Sequence, residues 1–170
     1  TIKTGKRSQI MQSIDKKKKK LLAVASFGGH WVQLMRLTSF LDQFSVTYVS
    51  CEDKFPGLSL ESTDISYHQI PDVNSDSNII QLSLSVLRSL WLLFKTRPAI
   101  VVSTGALPGL IVMVLAKKLF GSKTVWVDSI ANGSQLSTSG KQAKKVADVW
   151  LTQWPELANE NGPLYLGSVI

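Results

Sequence analysis

Three short stretches of this chain carry residue types that could do chemistry: "SFGGHW" at residues 26–31, "STGALPG" at 103–109 and "DSIANGSQLSTSGK" at 128–141. In the first, Gly28 and Gly29 stand where an apolar run gives way to a helical pattern, and His30 follows at once. Two missing Cβ atoms let a ligand approach the backbone, and the free N–H groups of a helix start suit a phosphate or another anion. An imidazole in the first helical turn after a strand is placed to take a proton from a hydroxyl in the crevice beyond that strand. A histidine that only bonds the local backbone satisfies the same pattern.

In the second stretch, Ser103, Thr104, Gly105 and Gly109, with Pro108 near a helix start, make either a diphosphate cradle or an ordinary strand-to-helix turn. In the third, Asp128 and Ser129 end a strand, where the carboxylate either accepts a sugar hydroxyl or caps a turn. The chain has no CxxC, no paired-histidine spacing and no GxSxG, so metal chemistry and the common serine hydrolases are unsupported and no cofactor is called for. The glycine pair also lacks the third glycine of the dinucleotide fingerprint. That counts against a small oxidoreductase, although Glu52 and Asp53 stand about where a ribose-binding acid would.

These stretches need a frame, and the hydrophobic pattern supplies one. Short β-branched runs at 21–26, 46–50, 65–70, 100–103, 124–128 and 149–153 alternate with longer helical patterns at 30–44, 78–95, 107–120 and 136–147. Most of the short runs are apolar on both faces, as a buried parallel sheet requires. The alternation predicts an α/β fold, a Rossmann-like open parallel sheet with helices on both faces. Ligands in such sheets bind beyond the carboxyl ends of the strands, where all three stretches fall. The turn-rich "PDVNSDSN" at 71–78 offers Ser75, Asp76 or Ser77 as the cap of the next helix.

That helix, "IIQLSLSVLRSLWLLF" at 79–94, holds Arg88 as its only charge. Its apolar surface runs further round than one core-facing stripe. Either the fold covers it on most sides, or its outer face dips into a membrane interface with Arg88, Trp91 and Lys95 near the headgroups. With about 16 residues and an internal arginine it is short for a span. The second apolar run, "ALPGLIVMVLA" at 106–116, reads as a core helix.

The net charge of +7 is confined to the first 20 residues, which hold eight Lys or Arg against Asp15; the other 150 residues carry 11 basic and 11 acidic groups. The body is neutral, so a nucleic-acid partner is not expected. The organisation expected is a basic tail over 1–20, with Lys16, Lys17, Lys18, Lys19 and Lys20 free to meet anionic lipid, and one domain over 21–170. A single cysteine, Cys51, excludes an internal disulfide, and the apolar run after the lysines is about seven residues, at the bottom of the signal-peptide range. Both fit a cytoplasmic protein.

Read in order, "GGHWVQLMRL", "STGALPG", "VDSIANGSQLSTSGK", "LTQWPEL" and "LYLGSV" resemble the acceptor-side subunit of two-component glycosyltransferases. These comprise the membrane-anchoring subunit of the eukaryotic UDP-N-acetylglucosamine transferase of N-glycan assembly, and its bacterial counterparts in exopolysaccharide and capsule synthesis. A fainter similarity links the same landmarks to the amino-terminal half of the peptidoglycan glycosyltransferase that makes lipid II. The resemblance implies the N-terminal half of a GT-B glycosyltransferase, with the donor-binding half on a separate chain. It implies that His30 is the base of an inverting transfer to a polyprenyl-diphosphate-linked saccharide. Gly28, Gly29, Ser103, Thr104 and Gly105 would line the crevice, with Asp128 and Ser129 on the facing loop. Attachment to the cytoplasmic face of the membrane, as a peripheral protein, would fall to the lysine run and the 79–94 helix. The alternative in the same setting is a non-catalytic scaffold that recruits and activates the partner.

Overall fold

The computed structural model describes residues 18–54 and 66–169. The chain runs β1 (Lys20–Val24), α1 (Gly29–Arg36), α2 (Thr38–Leu41), β2 (Ser45–Ser50), β3 (Ser66–Gln69), α3 (Ile79–Thr96), β4 (Ile100–Ser103), α4 (Ala106–Phe120), β5 (Lys123–Val127), α5 (Thr138–Ala143), β6 (Val149–Thr152), a 3-10 turn (Pro155–Leu157) and β7 (Leu164–Tyr165). The seven strands form one sheet in the order β3-β2-β1-β4-β5-β6-β7, and every pairing is parallel. The order reverses between β1 and β4, which puts the topological switch point between the loops after those two strands.

Alternation along the strands feeds two cores, one on each face. Leu22, Val24, Val49, Val101 and Trp126 pack with Leu92 and Leu93 of α3 and Val112 and Met113 of α4. Leu21, Ala23 and Val102 pack on the other face with Trp31, Leu34 and Leu41 from α1 and α2. The Rossmann-like α/β frame expected from the pattern is the frame observed.

Local differences have local causes. The helix expected over 30–44 is broken at Leu37, whose N–H returns to Leu34; Thr38 Oγ1 bonds the Met35 carbonyl and a short α2 follows. The helix expected over 136–147 is only Thr138–Ala143, because Ser137 caps it late and the chain turns off at Lys144. The cap of α3 is Asn78, in a reciprocal capping box with Gln81, and not Ser75, Asp76 or Ser77. Strand β7 has two residues, too few for a pattern to reveal. Lys18, Lys19 and Lys20 are exposed, and the carbonyls of Lys19 and Lys20 accept from the backbone N–H groups of Ser45 and Ala99. Lys16 and Lys17 lie outside the described residues.

Of the two readings of the 79–94 helix, the first does not hold: the fold does not cover α3 on most sides. Ile79, Ile80, Leu84, Leu87, Trp91 and Phe94 are between 48% and 75% exposed, whereas the buried positions include two serines, Ser85 and Ser89. The helix exposes six large apolar residues, buries Leu92 and Leu93 with the two serines, and has α4 as its main helical neighbour. By length and composition α3 also meets the requirement for a membrane span, although its packing and capping box tie it to the domain. Helix α4, by contrast, is a core helix: Leu110, Val112, Met113 and Ala116 are all buried.

Candidate functional site

The loops after β1 and β4 meet at the switch point through one reciprocal pair of bonds. The His30 ring bonds the Thr104 carbonyl through Nδ1 at 2.9 Å, and the Thr104 hydroxyl donates to the His30 carbonyl at 2.7 Å. A carbonyl only accepts, so Nδ1 carries a proton, and in the neutral tautomer Nε2 is the acceptor nitrogen. The ring rests on Gly105, where a Cβ would come 2.3 Å from both Cε1 and Nδ1. Gly105 also has φ +140°, so glycine is required there twice over.

The starts of α1 and α4 face this junction without side-chain caps. Gly28 (φ +83°) precedes α1 and Gly105 precedes α4, and neither helix has a capping side-chain bond. Gly28 and Gly29 are exposed, with open space where their Cβ atoms would be. The first N–H groups of α1 are thus available to an anion. Ala106, the first residue of α4, sits at φ +67°, a conformation that costs an alanine about 1 kcal/mol or more and recurs at ligand sites.

Ser103 and Thr104 are fully buried, and they build the junction from within. Ser103 Oγ accepts from Gly105 N at 3.3 Å and fills the space that a Cβ on Gly109 would need. Asp128 also points inward. It is 1% exposed, and its carboxylate accepts from Trp126 Nε1 and from both the backbone and the hydroxyl of Ser137. Of its two sequence roles, Asp128 takes the turn-capping one, and the crevice-facing role given to it does not match this geometry. Ser129 is 7% exposed and accepts from Ala131 N, again a turn bond. Trp154 secures the same loop, donating to the Ile130 carbonyl while its ring packs on Gly133.

The open space lies beside this junction. A cleft of about 660 Å³ runs along the carboxyl ends of β1 to β4, bounded by Ser26 and Phe27, Cys51 and Glu52, residues 72–75, Ala106 and Leu107, and the start of α5. Phe27 is 59% exposed on its wall. Burial, and then the neighbouring Asp72, push the Cys51 thiol up to about 12, so it is a neutral wall group and not a nucleophile. The sequence pattern alone assigns no site role to Phe27, Cys51 or Asp72. The rule that sites follow strand ends finds Cys51 and Asp72 once it is applied to β2 and β3 as well as to the strands before glycine-rich loops.

On the outer face, Trp91 lies between two cations, with Arg88 at 5.1 Å and Lys95 at 5.0 Å from its ring, and it meets the His68 ring edge-on at 5.9 Å. Burial, then Lys95 and Arg88, hold His68 below the usual histidine range, which keeps it neutral in this cationic corner.

A family model described as "Oligosaccharide biosynthesis protein Alg14 like" matches residues 21–169. The UDP-N-acetylglucosamine transferase subunit ALG14 of Rattus norvegicus is 30% identical over 181 residues, covering 88% of this chain and 82% of its own. The subunit of the same name in Homo sapiens is 29% identical over the same shares. Among solved structures, MurG of Acinetobacter baumannii superposes with a TM-score of 0.70 at 14% identity, and UDP-N-acetylglucosamine 2-epimerase of Rickettsia bellii with 0.66 at 13%. At such identities the likeness is one of fold. This chain spans 45% of the length of each of those two structures.

Proposed function

Because the chain belongs to the Alg14-like family of oligosaccharide biosynthesis proteins, we propose that it is the acceptor-binding half of a two-chain inverting glycosyltransferase. The sugar, N-acetylglucosamine or another hexose, comes from a UDP donor bound on a separate partner chain. It goes to a polyprenyl-diphosphate-linked saccharide in polysaccharide assembly, and neither chain works alone. The family membership and the GT-B-like half support this reading. The observation that carries the acceptor role is the clasp between His30 and Thr104, which fixes the imidazole through Nδ1 at the switch point beside two uncapped helix starts.

In the reaction, the acceptor hydroxyl oxygen attacks the anomeric carbon from the face opposite UDP. The bond to UDP breaks, and the hydroxyl proton passes to His30 Nε2. The diphosphate of the acceptor lies against the first N–H groups of α1 at Gly28 and Gly29, with Gly105 keeping the approach open. Ser103 and Thr104 hold these two loops in register.

The acceptor is a lipid, and the outward face of α3 supports a membrane site for it. Six exposed apolar residues, a tryptophan flanked by Arg88 and Lys95, and the lysines leading into β1 combine buried area with attraction to anionic headgroups. The cytoplasmic leaflet has the negative surface potential such cations favour.

The test is a transfer assay on membranes carrying lipid-linked acceptor with radiolabelled UDP-sugars. It compares this chain alone, the chain with its partner, and the pair carrying His30→Ala. Transfer that needs both chains and falls at least 100-fold in the variant is expected. Full activity in the variant would make this chain an anchor and acceptor platform, with the base on the partner.

A further inference from the structure

We propose that the cleft beside the His30 junction is a neutral-saccharide subsite, in which Glu52 and Asp72 accept hydrogen bonds from acceptor hydroxyls while the diphosphate stays outside. This rests on the acceptor-binding role proposed above and assigns its parts. The volume, about 660 Å³, lies in the range that holds a small ligand such as one or two sugar rings. The sign of the wall decides between sugar and phosphate. Among the described residues the lining contains no lysine, arginine or histidine, and it contains two carboxylates. The ion pairs among the described residues all belong to Asp148, so neither Glu52 nor Asp72 is neutralised by a lysine or arginine. A diphosphate in this cleft would meet like charge with no compensating cation. A polyol meets its complement: two acceptor-only groups, with Asn74, Gln142 and the hydroxyls of Ser26 and Thr138 to donate or accept. Phe27 and Leu107 offer apolar surface to the C–H faces of a ring.

The placement also orders the acceptor along the protein. Residues 72–75 line the cleft and lead, within three residues, into the Asn78 cap of α3 and then Ile79 and Ile80, which are 75% and 68% exposed. The saccharide end and the proposed lipid-facing helix are therefore joined by one short loop. The uncapped start of α1, next to Phe27, is left for the diphosphate at the rim.

Two measurements test this. In saturation-transfer and chemical-shift NMR on the full chain, methyl N-acetylglucosaminide is expected to perturb Phe27 and the 72–75 loop, with inorganic diphosphate leaving them unmoved. In the transfer assay with the partner present, Glu52→Gln and Asp72→Asn are each expected to raise the KM for lipid-linked acceptor about ten-fold or more, with the KM for the UDP-sugar and vesicle binding unchanged. An unchanged acceptor KM, a shift in the donor KM instead, or diphosphate binding in the cleft overturns the inference. A wild-type pair without transferase activity would overturn the glycosyltransferase reading, while the NMR arm would still decide what the cleft holds.

Discussion

Replacing Leu84 and Leu87 together by glutamine should detach this protein from anionic vesicles without unfolding it. The two side chains are 54% and 62% exposed, so the folded domain gains little from them and surface substitutions of this kind change stability by about 0.5 kcal/mol or less. Fully burying a leucine is worth about 1.5–3 kcal/mol. Scaled by the exposed fractions, lipid contact at both sites contributes roughly 1.7–3.5 kcal/mol, or about a 20- to 400-fold change in partition. Arg88→Gln and Lys95→Gln should each remove about 1 kcal/mol more, an effect that fades as salt is raised. The assay is co-sedimentation with vesicles containing about a third anionic lipid, with a urea melt of each variant alongside. An unchanged partition for the double leucine variant would refute the assignment of this face to lipid. If the same variant instead changed the sedimentation coefficient of the lipid-free protein, the stripe would be a protein interface.

Two further outcomes probe the frame beneath the site. Gly105→Ala should destabilise the domain by about 2–4 kcal/mol and abolish transfer, because its Cβ would enter the His30 ring at a backbone angle alanine avoids; Gly28→Ala, strained but in open space, should cost only about 1–2 kcal/mol. Urea melts of both variants, with the transfer assay, check this. Asp148 is held at about 2, chiefly by Lys117 and then by bonds from Thr124, so its contribution is complete above the usual carboxylate range and is lost as pH falls through about 2. The difference in melting temperature between wild type and Asp148→Asn should accordingly be constant from pH 7 to about 4 and shrink below that.

Most of the frame is legible in the sequence because parallel strands buried on both faces leave continuous apolar runs, as in Leu21–Ala25 and Ile100–Val102. Ends are less legible because hydrogen bonds at single residues decide them. Leu37 breaks a helix whose stripe continues to Phe44, and Asn78 outcompetes three other good caps by having Gln81 three residues on. For the site, Gly28, Gly29 and His30 stand out because glycine pairs and histidines are rare enough to notice. Glu52 is legible only as an acid after the second strand, and Asp72 only as part of a turn, until β2 and β3 bring them to one rim. Asp128 shows the opposite failure: a carboxylate at a strand end looks available, and only its bonds with Trp126 and Ser137 reveal that it is already engaged.

Helix α3 joins the two halves of the argument. In a water-soluble helix the leucines face the core and the serines face out. Here Ser85 and Ser89 are fully buried, and their hydroxyls have no hydrogen-bond partner among the described residues, while Leu84, Leu87 and Phe94 are exposed. Small residues on a buried side let a neighbouring helix approach closely, and α4 is the main helical neighbour of α3. Leu92 and Leu93 are nonetheless buried in the core, so the helix is apolar on two sides, and the proposed lipid contact would give its outer side a second apolar environment. The exposed apolar face begins at Ile79, one residue beyond the Asn78 cap and seven beyond Asp72. The same eight-residue stretch, 71–78, thus ends the cleft wall and begins the lipid face, and a lipid-linked sugar is a ligand whose own chemistry changes over a comparable distance.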